Sequence, residues 1–241
     1  MEIDYSVVVP AYNESAWIGA TLVSIQSAMA ASPLKGEIIV TDNNSSDDTA
    51  EIARSHGARV VFEPVNQISR SRNTGAREAQ GKYLVFVDAD TIVLPALLRQ
   101  ALANLESGRC IGGGAVVRFE RELGVSVHFV VSLWNLLSRL LRLAAGCFFY
   151  TTRDAFNQAG GFSEQVYASE EIWLSRKLRK IGRAQQKRFC IIRDHAAQSS
   201  GRKVAWYNTW RQIGLLLMVV FTPFFVRYKR FCGYWYDRPD R

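Results

Sequence analysis

The sequence predicts an α/β protein with a mostly parallel sheet, built as one domain with a C-terminal extension. Through residues 5–90, short apolar runs alternate with segments of helical periodicity, a pattern typical of βαβ units. The chain has 241 residues, of which 48% are hydrophobic and 22% are charged. That composition is ordinary for a globular protein and excludes a disordered or collagen-like chain. No linker rich in Pro, Gly or Ser separates two domains.

Apolar runs and helical spacing locate the individual elements. Strands are expected at Tyr5–Pro10, Glu37–Thr41, Arg59–Phe62, Lys82–Val87, Cys110–Phe119 and Gly146–Thr151. Helices are expected at Glu14–Ala31, from Ser46 or Asp47 to Arg54, and at Ser69–Ala79, Leu94–Leu105, Val125–Leu143 and Glu170–Ile181. Residues 198–203 have the polar composition of a loop. We assign residues 1–205 to the folded domain and residues 206–241 to an apolar and basic helical extension.

Two acids follow the fourth predicted strand, in the motif Asp88-Ala89-Asp90. Side chains at alternate positions of an extended segment point the same way. Ligands of open α/β sheets bind beyond the carboxyl ends of the strands, and carboxylate oxygens there suit a Mg²⁺ or Mn²⁺ diphosphate. By itself, the motif is a weak indication of a site, because two solvated acids that cap the next helix would give the same pattern.

Three further motifs occur in order at the ends of predicted elements. Residues 7–14 read VVVPAYNE, residues 40–49 read VTDNNSSDDT, and residues 69–76 read SRSRNTGA. Together with the two acids after the fourth strand, these motifs resemble those of the family 2 glycosyltransferases, a GT-A group that includes dolichyl-phosphate mannose synthases and cellulose-synthase-like enzymes. The resemblance extends over about residues 5–205. It implies a GT-A domain, with a mostly parallel, Rossmann-like sheet flanked by helices.

The resemblance implies a donor site for a nucleotide sugar. The residues that match donor-site motifs are Pro10, Ala11, Tyr12, Glu14, Asp42, Arg70, Arg72, Asn73, Asp88 and Ala89. The first four match the segment around the nucleotide base and ribose, and Asp42 matches the acid that accepts a hydrogen bond from the base. A guanidinium of the third helix suits the diphosphate. Core packing of Tyr12, and capping or turn formation by Asp42, are the structural alternatives.

The resemblance also implies a general base at the start of a late helix, where the family has a Glu-Asp pair. This chain has Glu170-Glu171, so Glu171 replaces the usual aspartate and is one methylene longer. A helix N-terminus favours an ionised carboxyl, which suits a base. Glu171 is therefore the predicted catalytic residue, and Glu170 and Gly146 are assigned to the acceptor side. An acid that only stabilises the helix dipole is the alternative.

Mn²⁺ or Mg²⁺ is the cofactor that the resemblance implies. Asp88 is expected to face the ribose or the metal, Asp90 to ligate the metal, and His195 to be a further ligand, because some relatives supply a histidine in this region. Arg202 and Lys203 follow in the predicted polar loop, where either cation could neutralise the departing diphosphate. For these last three residues, solvated loop positions are the competing interpretation.

The implied reaction is a single displacement that inverts the anomeric centre, with Glu171 taking the proton of an acceptor hydroxyl. Inversion depends on that role, because some GT-A enzymes with similar donor motifs retain configuration. The donor is expected to be UDP- or GDP-linked, since uracil and guanine both present a ring N–H to Asp42. The acceptor is expected to be a lipid-linked or small molecule.

Charge is unevenly distributed along the chain. From Arg176 to the end there are 16 Lys and Arg against 3 Asp and Glu, whereas residues 1–175 carry 14 against 19. Within the extension, the apolar run Ile213–Val226 is flanked by Trp, Tyr and cations, as is typical of a membrane interface. The apolar stretch Val125–Leu143 could lie beside it. Packing as core or as an oligomer contact is the alternative.

The N-terminus has no basic segment followed by an apolar run, so no signal peptide is expected. The four cysteines are scattered and form no CxxC pair, which indicates a reducing compartment. These observations predict a cytoplasmic protein, peripheral at the inner face of the membrane.

Two other classes of function are compatible with the sequence. One is an inactive glycosyltransferase-like scaffold, if the replacement at Glu171 disables the base. The other is a basic module that binds lipid or nucleic acid. The acidic first half and the lack of an RRM, KH or helix-turn-helix signature oppose nucleic acid as a partner.

Overall fold

The computed structural model describes residues 2–119 and 125–201, together with residues 214, 225–228, 230 and 232. The strands in these ranges are β1 (Tyr5–Ala11), β2 (Gly36–Asp42), β3 (Arg59–Phe62), β4 (Tyr83–Val87), β5 (Thr91–Ile92), β6 (Cys110–Phe119), β7 (Phe148–Thr152) and β8 (Arg188–Ser199). The helices are α1 (Ile18–Ala30), α2 (Thr49–Ser55), α3 (Ile68–Glu78), α4 (Pro95–Glu106), α5 (Val125–Leu141), α6 (Arg153–Ala159) and α7 (Glu170–Ala184), with a 3₁₀ turn at Phe225–Arg227.

All of these strands belong to a single eight-stranded sheet with the order β3-β2-β1-β4-β7-β6-β8-β5. Strands β1 to β4 are mutually parallel, and β6 is parallel to β8. Strand β7 is antiparallel to both of its neighbours, and β5 is antiparallel to β8. The predicted mostly parallel α/β fold is therefore confirmed. Since β1, β2 and β4 run the same way, the residues that follow them meet at one edge of the sheet.

Helices cover both faces of this sheet because its central strands are apolar on both faces. Strands β1 and β4 are buried along their whole length, as expected for parallel strands inside an α/β protein. Val7 and Val9 belong to the core under α1 and α4, whereas Val8 belongs to the core under α3, α6 and α7. Gly75 lets α3 approach the sheet, since a Cβ there would lie 2.4 Å from Val8 Cγ1.

The first two elements differ in extent from the prediction. Strand β1 continues past Pro10 to Ala11, which pairs with Asp42. Helix α1 begins at Ile18 rather than at Glu14, because the backbone first makes a turn in which the Glu14 carbonyl accepts hydrogen bonds from Trp17 and Ile18. Residues 12–17 therefore form a six-residue loop directly after β1.

Strand β8 corrects the expectation of a polar loop at residues 198–203. Gln198 and Ser199 are strand residues that pair with β6 on one side and with β5 on the other. Strands pair through backbone groups, so polar side chains can occupy a strand when they remain half-exposed. The polar composition of these residues therefore wrongly predicted a loop. Helix α6 was also missed, although Thr152 Oγ1 caps it by accepting from the Ala155 N–H at 3.2 Å.

A disulfide joins Cys110 at the start of β6 to Cys190 in β8. Cys147 and Cys232 are free and buried. The spacing of the cysteines gave no indication of this pairing, because the partners lie 80 residues apart and meet only through the parallel alignment of β6 with β8.

Most of the predicted extension, residues 206–241, lies outside the described residues. Of the part that is described, Val226 and Cys232 are buried in a small cluster with Leu143 and Ile172. The Tyr167 N–H donates to the Val226 carbonyl at 2.7 Å. Within the described part of the chain, none of the helices combines the length and apolar composition needed to cross a membrane.

Candidate active site

The loop after β1 is fastened to the loop after β2 by hydrogen bonds. Asn13 has a left-handed backbone, with φ of 52°, and its side-chain oxygen accepts from the Ser46 N–H at 2.7 Å. The Asn13 N–H donates to Ser45 Oγ at 3.0 Å, and the Glu14 N–H donates to Thr49 Oγ1 at 2.7 Å. These bonds fix a rigid double loop at the carboxyl edge of the sheet.

This double loop carries the predicted base-binding residues. Pro10 and Ala11 are buried at the end of β1, Tyr12 is half-buried, and Glu14 is buried. Asp42 is 8% exposed at the end of β2 and accepts a hydrogen bond from the Ser45 N–H at 3.0 Å. The turn expected as the structural alternative for Asp42 is therefore present, and the role of this residue in binding a base stays a prediction.

Asn43 connects this double loop to the β3–α3 loop and was not identified from the sequence. Its Nδ2 donates to the carbonyls of Glu63 and Val65, at 3.0 and 2.6 Å, and its Oδ1 accepts from the Gln67 N–H at 3.0 Å. The side chain thereby positions the start of α3. The run of two asparagines after Asp42 was the available signal.

Arg72 is the central residue of the site and is only 2% exposed. Its Nη2 donates to Asp88 Oδ1 at 2.7 Å and to the Gly146 carbonyl at 3.0 Å, and its Nη1 forms an ion pair with Glu170. Burial acts to lower the pKa of Arg72, but Asp88, Glu170 and Glu171 raise it beyond its ordinary value. The guanidinium therefore stays charged and ties three chain segments together.

The two other predicted residues of α3 have different surroundings. Arg70 forms ion pairs with Glu63 at 3.3 Å and with Glu164 at 2.9 Å. Asn73 donates to the Phe162 carbonyl at 2.9 Å and accepts from the Phe162 N–H at 3.0 Å. In the structure, Asn73 therefore anchors the turn before α7, and Arg70 lies among acids on the outer side of α3.

The motif after β4 is held in place by both backbone and side-chain contacts. The Asp88 N–H donates to the Cys147 carbonyl at 3.3 Å, and the buried Ala89 presents its carbonyl to Thr21 Oγ1 at 2.8 Å. Asp90 Oδ2 accepts from Ser200 Oγ at 2.7 Å, and the Asp90 carbonyl accepts from the Ser200 N–H at 3.1 Å. Ser200, which the sequence did not single out, connects the end of β8 to this motif.

Glu170 and Glu171 open α7 after Ser169, which has a left-handed backbone with φ of 61°. Glu170 is 2% exposed and pairs with Arg72, whereas Glu171 is half-buried. Burial, and then the neighbouring Glu170 carboxylate, raise the pKa of Glu171 to about 8, although Arg72 acts in the opposite direction. At neutral pH, Glu171 is thus poised to exchange a proton.

Gly146 lies against this pair of acids and the guanidinium. A Cβ at this position would be 2.9 Å from Arg72 Nη2 and 3.7 Å from Glu171 Cδ. The next residue, Cys147, is buried, and burial together with Asp88 and Asp90 raises the pKa of its thiol. The structure therefore brings together five predicted residues, namely Arg72, Asp88, Gly146, Glu170 and Glu171.

His195 is placed differently. It lies in β8, in a stretch where the register with β6 shifts from Ala115–Ile192 to Val117–Ala197. Together with His128 of α5, it lines a cavity of about 740 Å³ between β6, α5 and β8. The described residues contain no group of three or more His, Cys, Asp or Glu side chains suited to a metal. Arg202 and Lys203 lie outside the described residues.

The donor set at the edge of the sheet nevertheless fits a diphosphate-bound divalent cation. Asp88 and Asp90 supply hard carboxylate oxygens, and the side chain of Asp88 is 29% exposed. Mg²⁺ is usually held by one or two carboxylates together with substrate phosphates and water, rather than by an all-protein cage. Three carboxyl groups, those of Asp88, Glu170 and Glu171, act on the guanidinium of Arg72. Acidic groups therefore outnumber the cation in this cluster, which favours the binding of a further cation.

Comparison with known proteins gives a consistent result. The model of the family described as Glycosyl transferase family 2 matches residues 6–160. An uncharacterized glycosyltransferase of Mycobacterium tuberculosis is 34% identical over 137 residues, which are 56% of this chain and 60% of that protein. The chain thus matches 60% of the length of this relative. Glycosyltransferase AglE of Haloferax volcanii is 24% identical over 214 residues, covering 81% of this chain and 68% of that protein.

Solved structures resemble the fold. The mannosyltransferase PcManGT from Pyrobaculum calidifontis, in complex with GDP-Man and Mn²⁺, has a TM-score of 0.64 and 21% identity, over 83% of this chain and 57% of that one. Glucosyl-3-phosphoglycerate synthase from Mycobacterium tuberculosis, in complex with Mg²⁺ and UDP, has a TM-score of 0.63 and 22% identity, over 89% and 78%. The predicted GT-A fold is confirmed by this similarity. Since the family match covers more than half of the sequence, the chain belongs to glycosyl transferase family 2.

Proposed function

We propose that this protein transfers a glycosyl group from a nucleoside-diphosphate sugar to an acceptor hydroxyl or a lipid phosphate. The observation that carries the proposal is the cluster in which buried Arg72 holds Asp88 and Glu170 while Glu171 keeps a raised pKa. In this cluster, a residue of the predicted donor site lies close to a residue of the predicted acceptor site. Asp88 belongs to the donor motif, and Glu171 opens the helix assigned to the acceptor.

In this proposal, each group of site residues has a separate role. Asp42 and the double loop after β1 hold the base and ribose of the donor. Asp88 and Asp90 would hold Mn²⁺ or Mg²⁺, which supplies charge stabilisation for the nucleoside diphosphate as it leaves. Arg72 fixes the positions of Asp88 and Glu170 and so keeps both carboxylates in place without reorganisation during the reaction.

Glu171 would act as the general base. A base works best when its pKa lies near the working pH, and burial next to Glu170 moves Glu171 in that direction. It would accept the proton of the acceptor hydroxyl as the oxygen attacks the anomeric carbon. Attack on the face opposite the diphosphate would invert the configuration of that carbon.

We propose a UDP- or GDP-linked donor. Solved structures with the same fold contain UDP or GDP-Man together with a divalent metal, and Asp42, at the end of β2, would accept a hydrogen bond from a ring N–H of the base. For the acceptor, the proposal is a lipid-linked or small molecule. We further propose attachment at the inner face of a membrane, because the basic C-terminal third and the aromatic-flanked apolar run favour an anionic interface.

Thermal unfolding with UDP, GDP, CDP and dTDP, each with and without Mn²⁺, tests the donor site. Ligands that bind only the folded state raise the melting temperature. We expect UDP or GDP to stabilise the protein when Mn²⁺ is present, and Asp90→Ala to abolish the shift. Folded protein that no nucleotide stabilises would contradict the proposal and favour an inactive scaffold, which turnover of UDP- and GDP-sugars would also distinguish.

A further inference from the structure

An exposed apolar stripe runs along α5. Phe129, Leu136 and Leu140 are 60%, 45% and 69% exposed. Their spacing of seven and then four residues places them on one side of the helix. Isolated exposed apolar residues are common on proteins, but three on one helical face form a patch of the kind found at protein or membrane contacts.

Four arginines lie beside the end of this stripe. Arg179 of α7 donates from Nη1 to the Leu141 carbonyl at 2.6 Å, which joins the middle of α7 to the end of α5. Arg142, Arg176 and Arg183 are close enough to Arg179 to lower its pKa, after burial as the larger cause. Four positive charges close together repel one another, and contact with an anionic surface would offset that repulsion.

Aromatic side chains and further cations extend the same surface. Arg227 lies over the ring of Trp173 in the first turns of α7, 5.5 Å from its centroid, and Arg230 lies 5.6 Å from the centroid of Tyr228. Tyr228 is 44% exposed. Tyrosine, tryptophan and arginine are the side chains that favour the boundary between lipid headgroups and acyl chains.

We propose that this surface, formed by the α5 stripe, the four arginines and Arg227, Tyr228 and Arg230, docks on a bilayer that contains anionic lipid. We call it the α5–α7 face. Apolar side chains that enter the headgroup region, surrounded by cations that meet lipid phosphates, are the two components of interfacial binding. A nucleic acid would use the cations but not the leucines. The proposal names the surface responsible for the membrane attachment proposed above, and it does not require the transfer reaction.

Each helix of the α5–α7 face has one end near the candidate site. Helix α7 begins with Glu170 and Glu171, and α5 ends at Leu141, five residues before Gly146. Both helices of the α5–α7 face therefore lead directly to the acceptor side of the candidate site. Docking would bring that side close to the bilayer, where an acceptor carried by a lipid is concentrated.

Vesicle co-sedimentation tests the proposal with the full chain and no nucleotide. The vesicles are phosphatidylcholine alone and an equal mixture of phosphatidylcholine and phosphatidylglycerol. We expect binding to the mixed vesicles and weaker binding at high salt. Arg176→Gln with Arg183→Gln should weaken binding roughly fivefold for each arginine removed, and Leu136→Ser with Leu140→Ser should weaken it roughly tenfold.

Matched substitutions elsewhere control for charge and hydrophobicity. Arg54→Gln with Arg99→Gln removes two exposed cations from other helices, and Phe62→Ser removes a side chain that is 59% exposed on the edge strand β3. These variants should bind vesicles like the parent chain. Failure of the folded chain to bind the mixed vesicles, or equal weakening by the control variants, would overturn the proposal. Nucleotide-induced stabilisation is measured separately, so the donor site and the membrane face can fail independently.

Discussion

At the scale of single residues, the site depends on how one buried cation is shared among carboxylates. Arg72 makes direct contacts with Asp88 and Glu170 but only a longer-range interaction with Glu171. Asp88 and Glu170 are therefore the direct partners of the guanidinium, while Glu171 has a raised pKa. Neighbouring carboxyls with different environments commonly take different roles in catalysis, which supports the proposed division into a positioning pair and a base.

Glu171→Gln tests the proposed role of Glu171 as the general base. The amide has nearly the same shape but cannot accept the proton, so we expect kcat for transfer to fall by roughly 10²- to 10⁴-fold. Glu171→Asp restores the residue that the family usually has, and should retain part of the activity. Glu106→Gln, at an exposed position of α4, is the matched control. If the Gln variant of Glu171 transferred sugar at the parental rate, another residue would have to be the base.

The pH profile is a second expectation at this scale. Because the pKa of Glu171 is raised to about 8, kcat/KM should rise with pH up to about 8 and then level off, as more of the free enzyme carries the ionised base. The slope of log kcat/KM against pH below that value reports a single ionisation. A profile that is already flat at pH 6 would show that the functional carboxyl has an ordinary pKa.

The same ionisation affects stability, with a definite sign. The pKa of Glu171 is higher in the folded state than its ordinary value of 4.5, so folding favours the protonated form. The resulting stabilisation is complete below pH 4.5 and is lost as the pH rises towards 8. The melting temperature of the Glu171→Gln variant should therefore rise relative to that of the parent protein as the pH increases from 5 to 8.

At the scale of elements, close contact between α3 and the sheet positions Arg72. Gly75, one turn after Arg72, would place a Cβ 2.4 Å from Val8 Cγ1 and 2.6 Å from Thr41 Oγ1. Val8 and Thr41 are in buried parallel strands that cannot move aside easily. The helix that carries the central guanidinium thus approaches the ends of β1 and β2 only because this position lacks a side chain.

Gly75→Ala should therefore destabilise the fold by about 1–3 kcal/mol through overpacking, in spite of the better helix propensity of alanine. Gly19→Ala in α1 is the matched control, since the nearest atom to its added Cβ is His56 Cε1 at 3.5 Å. That change should stabilise the protein by about 0.5–1 kcal/mol. Urea unfolding of both variants measures the difference. Equal effects of the two substitutions would mean that α3 does not pack as closely as the structure shows.

The elements could be predicted largely from the sequence because their patterns are local. The buried runs of β1 and β4 and the strand ends that carry Asp42 and Asp88 follow from periodicity alone. Contacts between distant segments could not be predicted in this way. The partnership of Arg72 with Glu170 spans 98 residues, and that of Ser200 with Asp90 spans 110. Strand β8 was not predicted at all, and its polar end was expected to be a loop, because its strand structure comes from pairing with β5 and β6.

At the scale of the whole molecule, the same two apolar cores pack against both halves of the sheet. The parallel half, β1 to β4, carries the predicted donor motifs at its carboxyl ends. The other half contains β6 and β8, whose alignment shifts register at two places. The disulfide between Cys110 and Cys190 lies close to the first of these shifts. The disulfide therefore connects β6 and β8 close to the first residues of both strands.

Reduction of this disulfide should destabilise the whole domain. The bond closes a loop of 80 residues, and the chain-entropy relation for a loop of that size predicts a loss of about 4–5 kcal/mol in the free energy of unfolding. Unfolding in urea with and without dithiothreitol measures the change, and Cys110→Ser with Cys190→Ser should reproduce the reduced protein and no longer respond to reductant. Before reduction, thiol titration of the denatured protein should detect only Cys147 and Cys232. Four reactive thiols in protein purified without reductant would mean that the bond does not form, in agreement with the reducing compartment that the cysteine spacing indicates.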